Sequence, residues 1–485
     1  MIFLPIIFPV LAGLAMLKLD IKSRDKRQAY VLCVTAISLA LTLVANFAFS
    51  GKSMTVAAFS NDIYINLQTD GIAVLFSTLF AVVWFLVAVF SLEYMKHEGE
   101  ENRFFAYFIA SLGALIGVAY ADNLVTLYLF FEIMSLLSYV LVVHSRTNES
   151  LLAGRKYIYY SLFGASLGLI GIFYCYSMPW QRAFVEGGVV SGDVGEIGAV
   201  LNLLVILAVV GFGCKSGMFP LHSWLPTAHP QAPAPASSVL SGLITKAGIL
   251  AIIRIVYFTV GADILVGSIA QKVLLSLSII TIFMGSMLAY KERVLKKRLA
   301  YSTVSQVSYI IFGIMLLNTV GVTGALLQVI FHALAKNVLF LCAGAIIYKT
   351  HKTNCDDLYG LGRAMPKTFA CFTIAGMSLV GIPLTAGFVS KWHLVQGALL
   401  SSVKPLPIIG VFVLMISALL TAGYLLTISI RAFFPVTKTE RVESCEANNF
   451  MTVPLIILTL GIVFFGVFPT PLVGFVQKLA QSLTI

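Results

Sequence analysis

Lys215, Lys246, Lys336 and Lys391 stand inside apolar runs, and so do Glu132 and His332. A charge at mid-bilayer costs about 2.5–3.5 kcal/mol on insertion scales, so such residues face a bundle interior, pair or touch water, and mark ion pathways. Lysine suits proton transfer for a physical reason. Desolvation loosens its proton, and a nearby carboxylate tightens it again. A Lys–Glu pair that opens and closes therefore exchanges a proton. Glu132 is the carboxylate that lies clearly within a span, and Lys215 is its best candidate partner because it sits beside a helix break. The plainer role for one buried lysine is to anchor helices by hydrogen bonds. Four lysines, a glutamate and a histidine spread over several helices are harder to explain that way.

The break lies in VVGFGCKSGMFPLHSW, residues 209–224. Pro220 removes a backbone hydrogen bond, and Gly211, Gly213 and Gly217 loosen the chain around it. Irregular backbone at membrane depth is tolerated only within protein or beside a water-filled cavity. A broken helix with a lysine is the kind of element transporters use to line a midplane site. A second break falls at Pro383, in SLVGIPLTAGF, eight residues before Lys391. FHALAKNVLF sets His332 and Lys336 four residues apart, on one helical face. LSGLITKAG places Lys246 near mid-depth of its span. AYSTVSQVSYI supplies Ser302, Ser305, Gln306 and Ser308, which either hold water along a polar stripe or glue helices together. His222 and His229 fall in an uncharged connection, where they either guard proton uptake or are simply solvated. Arg254, late in its helix, is expected to reach the surface along its stem.

These residues need helices to hold them. The 485-residue chain is 59% hydrophobic and 11% charged, where a soluble protein is about one quarter charged. Apolar runs of about 20 residues recur, each enough to cross a bilayer. They are continuous and do not alternate, which excludes an outer-membrane barrel. The chain is therefore expected to be an all-α polytopic membrane protein. Fourteen spans are predicted, at 2–17, 29–48, 71–92, 104–121, 123–143, 158–178, 198–227, 234–258, 270–290, 299–318, 321–348, 368–399, 406–430 and 452–472. Those at 198–227 and 368–399 are longer than one crossing needs and contain the two breaks. Residues 1–17 lack a basic lead and a small-residue cleavage site, so they are taken as the first span and not a signal peptide.

The loops after odd-numbered spans carry 22 lysines and arginines, and those after even-numbered spans carry five. By the positive-inside rule both termini lie outside the cytoplasm. The net charge of +11 is thus mostly topological, and no nucleic acid is implied. The seven cysteines are scattered singly, so no iron–sulfur or zinc site, and no redox chemistry of the chain's own, is expected.

Five stretches carry a family resemblance: FPLHSWLPTAHPQAPAPASSVLSGLITKAGILAIIR, LYLFFEIMSLLSYVLV, KKRLAYSTVSQVSYI, FHALAKNVLFLCAG and GIPLTAGFVSKW. In that order they resemble the antiporter-like membrane subunits of respiratory complex I, of membrane-bound hydrogenases and formate-oxidising complexes, and of Mrp-type Na⁺/H⁺ antiporters. The likeness covers spans 4 to 13. It implies two inverted five-helix repeats, spans 4–8 and 9–13, each with a broken helix, and a hydrated polar axis along the membrane middle. The implied organisation is 1–100 for spans 1–3, 101–260 for the first repeat, 265–432 for the second, and 433–485 for span 14.

Carried over by motif, Glu132 resembles the family's fifth-span glutamate, Lys215 its seventh-span lysine, Lys246 its eighth-span lysine and Lys391 its twelfth-span exit lysine. His332 and Lys336 match the eleventh-span His-x-x-x-Lys. Two positions depart from relatives. Many carry a second histidine one turn before His332, where this chain has Gln328. One complex I member has glutamate where this chain has Lys391. By length and motif the resemblance is closest to the Mrp D-type chain.

The implied function is proton, or other cation, translocation by one subunit of a multi-subunit complex in a prokaryotic cytoplasmic membrane, with no cofactor of its own. Protons would arrive near Lys215 and Lys246, pass His332 and Lys336, and leave near Lys391. Ser135 and Ser138 would hydrate the contact of Glu132 with Lys215. A lysine axis offers no oxygen cage, which favours H⁺ over Na⁺; any Na⁺ would fall to partner subunits. The alternative setting is the pumping module of a complex I-like, hydrogenase or formate-oxidising complex. A stand-alone solute transporter and an inert scaffold are the other readings.

Overall fold

Backbone groups in lipid must bond within their own segment, so a chain of mean hydropathy +0.95 has little choice but helices. The structure, a computed structural model, describes residues 1–60, 62–190, 194–435 and 444–484. Lys438 and Arg441, counted above among the basic residues, lie outside the described residues. In chain order the helices are α1 (Leu4–Leu19), α2 (Arg24–Ala48), α3 (Gly71–Tyr94), α4 (Glu101–Tyr120), α5 (Leu124–Val142), α6 (Asn148–Ser177), α7 (Val194–Ser216) and α8 (Leu225–Gln231). There follow α9 (Ala234–Val260), α10 (Ile269–Lys291), α11 (Leu295–Met315), α12 (Thr319–Thr350), α13 (Pro366–Val380), α14 (Ala386–Leu400), α15 (Leu406–Phe433), α16 (Asn449–Val467) and α17 (Thr470–Leu483).

Eleven helices among the described residues are long and apolar enough to cross a membrane. Three expected spans fall short of that mark, each for its own reason. Helix α1 has only 16 residues. Helix α11 opens on Lys296, Lys297 and Arg298, which dilute its apolar run. Residues 368–399 form two 15-residue helices, α13 and α14. One element was not expected: an antiparallel hairpin of β1 (Ser53–Ala58) and β2 (Tyr64–Gln68), with Ser53 opposite Gln68. Two strands fit between α2 and α3 because the connecting chain there is polar and lies between spans.

Several helices begin on a side-chain cap that satisfies a free backbone N–H. Asp70 accepts from Ala73 N at 2.8 Å, Asn123 from Thr126 N at 2.8 Å and Asn318 from Gly321 N at 2.8 Å. Helices α6 and α7 approach through Gly164 and Gly211, where a Cβ on either would strike the other's carbonyl oxygen. Small residues permit this closeness in membranes, and it brings the two faces beside Lys215 together.

Helix α9 is not a plain α-helix. It has π turns at Leu240–Ile244 and Arg254–Val260, a geometry that often marks functional sites. Arg254, on the second, does not reach the surface. It is 1% exposed, lies 5.1 Å from the Phe184 ring and 4.4 Å from the Phe258 ring, and forms a bidentate ion pair with Asp70. Its neighbours hold it in the interior: the Asp70 carboxylate meets both terminal guanidinium nitrogens, though the buried Nε has no partner.

Candidate functional site

The first break ends α7 one residue after Lys215. Gly217 takes a left-handed φ of 78°, and Pro220 lies in the turn before α8. The carbonyls that the helix end frees are met locally. Met218 N donates to Gly213 O at 2.9 Å, Gly217 N to Cys214 O at 3.0 Å, and the Trp224 indole to Cys214 O at 2.8 Å. Lys215 is thus left to turn inwards. Its Nζ donates to Ser135 Oγ at 2.9 Å, Tyr157 OH at 2.6 Å and Ser161 Oγ at 3.2 Å, and lies 4.3 Å from the Tyr157 ring centre. Ser138 Oγ is 2.6 Å from the same Tyr157 hydroxyl.

Glu132 sits one turn before Ser135 on α5. Among the described residues no ion pair includes it. The expected partnership with Lys215 is therefore not a direct contact, and the charges interact at longer range. Glu132 Oε1 is buried without a protein partner. Tyr157 and Ser161, which sequence reasoning missed, occupy one face of α6 at a four-residue spacing. That pair of polar groups in KYIYYSLFGAS was the available signal.

Helices α7 and α9 meet where Ser216 Oγ donates to Thr245 O at 2.8 Å. The next residue, Lys246, is fully buried. Its Nζ is 2.7 Å from His332 Nδ1 and donates to Ser241 O at 2.8 Å and Thr245 Oγ1 at 3.3 Å. Four residues on from His332, Lys336 donates to Leu299 O at 2.9 Å and to Ser302 Oγ. One turn before His332, Gln328 donates to Gln306 Oε1 at 3.1 Å and accepts from Ser390 Oγ at 2.6 Å. Ser390 precedes Lys391. The ammonium of Lys391 donates to Leu379 O and Val380 O at the end of α13, the latter at 2.9 Å, and lies 5.1 Å from the Tyr309 ring centre. The stem of Lys391 lines a cavity of about 430 Å³ with Tyr309, Phe388, Trp392 and Leu414. The second break itself runs from Gly381, at φ 91°, through Pro383 to Thr385.

The polar stripe of α11 splits between its two expected roles. Ser302 and Gln306 face the line of titratable groups. Ser305 instead binds Ser286 at 2.8 Å and Ser417 at 3.2 Å, joining α10, α11 and α15. Among the described residues Ser308 bonds only to Val304 O of its own helix, at 2.9 Å. The histidines before α9 also separate. His222 is half-buried and stacks on Phe219, 6.0 Å between ring centres. His229 is not solvated: it is fully buried, packs 4.9 Å from the Phe340 ring, and neither ring nitrogen has a protein partner. Helix α8 carries it inwards, which a polar-looking connection did not reveal.

At the other end of the helices, Asp122 joins α4 to α5. It is buried, receives Asn66 Nδ2 from the hairpin, and leaves Oδ1 without a partner. Burial pushes its carboxyl up to about 6, against the opposing pull of the Asn66 bond and Arg254.

With this geometry in hand, two sequence families match the chain. The NADH:quinone oxidoreductase/Mrp antiporter transmembrane family covers residues 121–421, and the N-terminal part of complex I chain 5 covers 54–105. NADH-quinone oxidoreductase subunit N of Desulforudis audaxviator is 33% identical over 416 residues, 81% of this chain and 82% of the relative. The D component of the Na⁺/H⁺ antiporter of Alkalihalophilus pseudofirmus is 30% identical over 396 residues, 80% and 79% of the two chains. The fold is shared with a chain of the Mrp complex from a Dietzia species, with a TM-score of 0.86 at 21% identity over 100% of this chain and 97% of that one.

Proposed function

This chain belongs to the NADH:quinone oxidoreductase/Mrp antiporter transmembrane family, and we propose that it translocates protons as one membrane subunit of an Mrp-type Na⁺/H⁺ antiporter. The D component of a Na⁺/H⁺ antiporter is among its relatives. The observation that carries the proposal is the succession from buried Lys215, Lys246, His332 and Lys336 to half-buried Lys391, centred on the 2.7 Å contact of Lys246 with His332. Either side of that contact can hold the proton: an ammonium donates to a bare Nδ1, or a protonated Nδ1 donates to an amine. Buried Glu132 Oε1, His332 Nε2 and Gln306 Nε2 have no protein partner, and water is what satisfies such groups in a polar interior.

In this reading protons reach Lys215 from the cytoplasm, move by Lys246, His332 and Lys336, and leave by Lys391. Residues 101–260 and 265–432 are inverted repeats around that path, and both termini lie outside the cytoplasm. Glu132 sets the charge balance at Lys215 from a distance. The test is proton uptake by vesicles holding the whole complex. Lys246→Ala and Glu132→Ala should each cut it by about 10²-fold, the typical weight of a proton-transferring group, with the complex still assembled. Full uptake in either variant overturns the path.

A second setting is favoured by the similarity to subunit N of a quinone oxidoreductase: the same proton path, powered by electron transfer in partner chains. Gentle purification of the tagged chain separates the two. Co-purifying iron–sulfur absorption and a dehydrogenase or hydrogenase arm assign the redox complex. A colourless set of membrane subunits assigns the antiporter.

A further inference from the structure

Where α4 begins and α5 ends, a cavity of about 380 Å³ is lined by Arg103, Tyr107, Val140, Val143, Arg146 and Leu151. A water occupies about 30 Å³ in the liquid, so the space admits a polyatomic group. Its two charges have one sign. Arg103 and Arg146 are close enough for their charges to repel, and among the described residues neither belongs to an ion pair. Arg103 gives one guanidinium nitrogen to His144 O, but its Nε is buried without a partner. Arg146 is exposed, at a left-handed φ of 54°. Glu100 is within electrostatic range of Arg103 without pairing with it. His144 adds no charge at neutral pH, because burial and the Arg103 guanidinium hold it below its ordinary value.

Two guanidiniums facing one space suit an anion with several oxygens, since each presents a planar fork to carboxylate or phosphate. The remaining walls are apolar or aromatic, so the ligand they fit has an anionic head and an apolar body. Tyrosine is also a residue of the headgroup level. This end of the bundle is the one that positive-inside counting makes cytoplasmic, where the leaflet is anionic and basic pockets between spans hold lipid headgroups. We propose that Arg103 and Arg146 bind the phosphate of an anionic phospholipid, whose acyl chains continue along Val140, Val143 and Leu151.

The test is native mass spectrometry of the whole complex taken from vesicles of phosphatidylglycerol and phosphatidylcholine in equal amounts. The complex should retain the anionic lipid, and Arg146→Gln should lower that retention by about fivefold, the worth of one basic residue at an anionic surface. Arg146 is exposed and its side chain makes no hydrogen bond among the described residues, so this variant leaves the fold alone. Arg146→Lys should restore most of the preference. Equal retention of both lipids, as an acidic side chain of a partner filling the cavity would give, overturns the proposal. So does a preference unchanged in Arg146→Gln. Displacement of the lipid by excess inorganic phosphate assigns the arginines to a soluble anion and overturns the lipid reading.

Discussion

The two broken helices place a lysine on opposite sides of the gap. Lys215 precedes its break, and the carbonyls released there are met by Gly217, Met218 and the Trp224 indole. Lys391 follows its break and reaches back to Leu379 and Val380, the negative end of α13. One lysine therefore faces three hydroxyls and the other faces carbonyls. A hydroxyl accepts from an ammonium or donates to an amine, whereas a carbonyl only accepts. The Lys215 surroundings satisfy the side chain with or without its proton. Those of Lys391 accept from either form but offer no donor to the lone pair of a bare amine. Similar sequence signals, a glycine, a proline and a lysine, thus yield one site whose partners suit either protonation state and one in which the side chain also closes a helix end.

The sharpest break of this comparison is arginine at both positions, because arginine keeps its charge at any working pH. Lys215→Arg and Lys391→Arg should each lower proton uptake by about 10²-fold, but Lys391→Arg, which can still cap α13, should keep the melting temperature, while Lys215→Arg, which must fit a larger head among three hydroxyls, should lower it. Equal melting temperatures would abolish the distinction. Next in size are the tyrosines. Tyr157→Phe removes a direct partner of Lys215 and should cost about tenfold in uptake, the weight of one hydrogen bond to a charge. Tyr309→Phe keeps the ring beneath Lys391 and should leave uptake within about twofold.

Further from the lysines, the effects concern pH and the carboxylates joining α4 to α5 and α10 to α11. Asp122 titrates near 6 when folded, above its ordinary 3.8. The folded state then holds the proton more tightly, so this stabilisation is complete below about pH 4 and is lost as pH rises through about 6. Asp122→Asn should flatten that decline in thermal unfolding, by up to about 3 kcal/mol. Glu292 is displaced the other way. Burial pushes its carboxyl up, but Lys297 and the Val294 and Arg293 N–H groups together outweigh it, so the net direction is down. Its stabilisation is present above the ordinary carboxylate value and fades on acidification. Glu292→Gln should lower the neutral-pH melting point slightly, since Lys297 is 40% exposed and exposed pairs are weak.

The buried lysines, Glu132, the His332–Lys336 spacing and both breaks were legible because lipid makes every charge conspicuous. What stayed hidden depended on distance or local winding. Arg254 finds Asp70 from 184 residues away, a pairing no window of sequence contains. Tyr157 and Ser161 are ordinary residues of an apolar helix until Lys215 is brought against them. His229 looked like a surface residue because prolines and alanines around it suggested a connection, yet α8 folds it inwards.

The π turn at Leu240–Ile244 acts as one residue too many in an α-helix. Each residue in such a helix advances the winding by about 100°, so everything after the turn is rotated by that amount relative to a regular helix. The direction in which Lys246 points is thus set by a count of residues, whatever their chemistry. Deleting one residue from 240–244 would let the turn close into regular winding with Lys246 still facing His332, whereas regular winding with no deletion would swing the ammonium away.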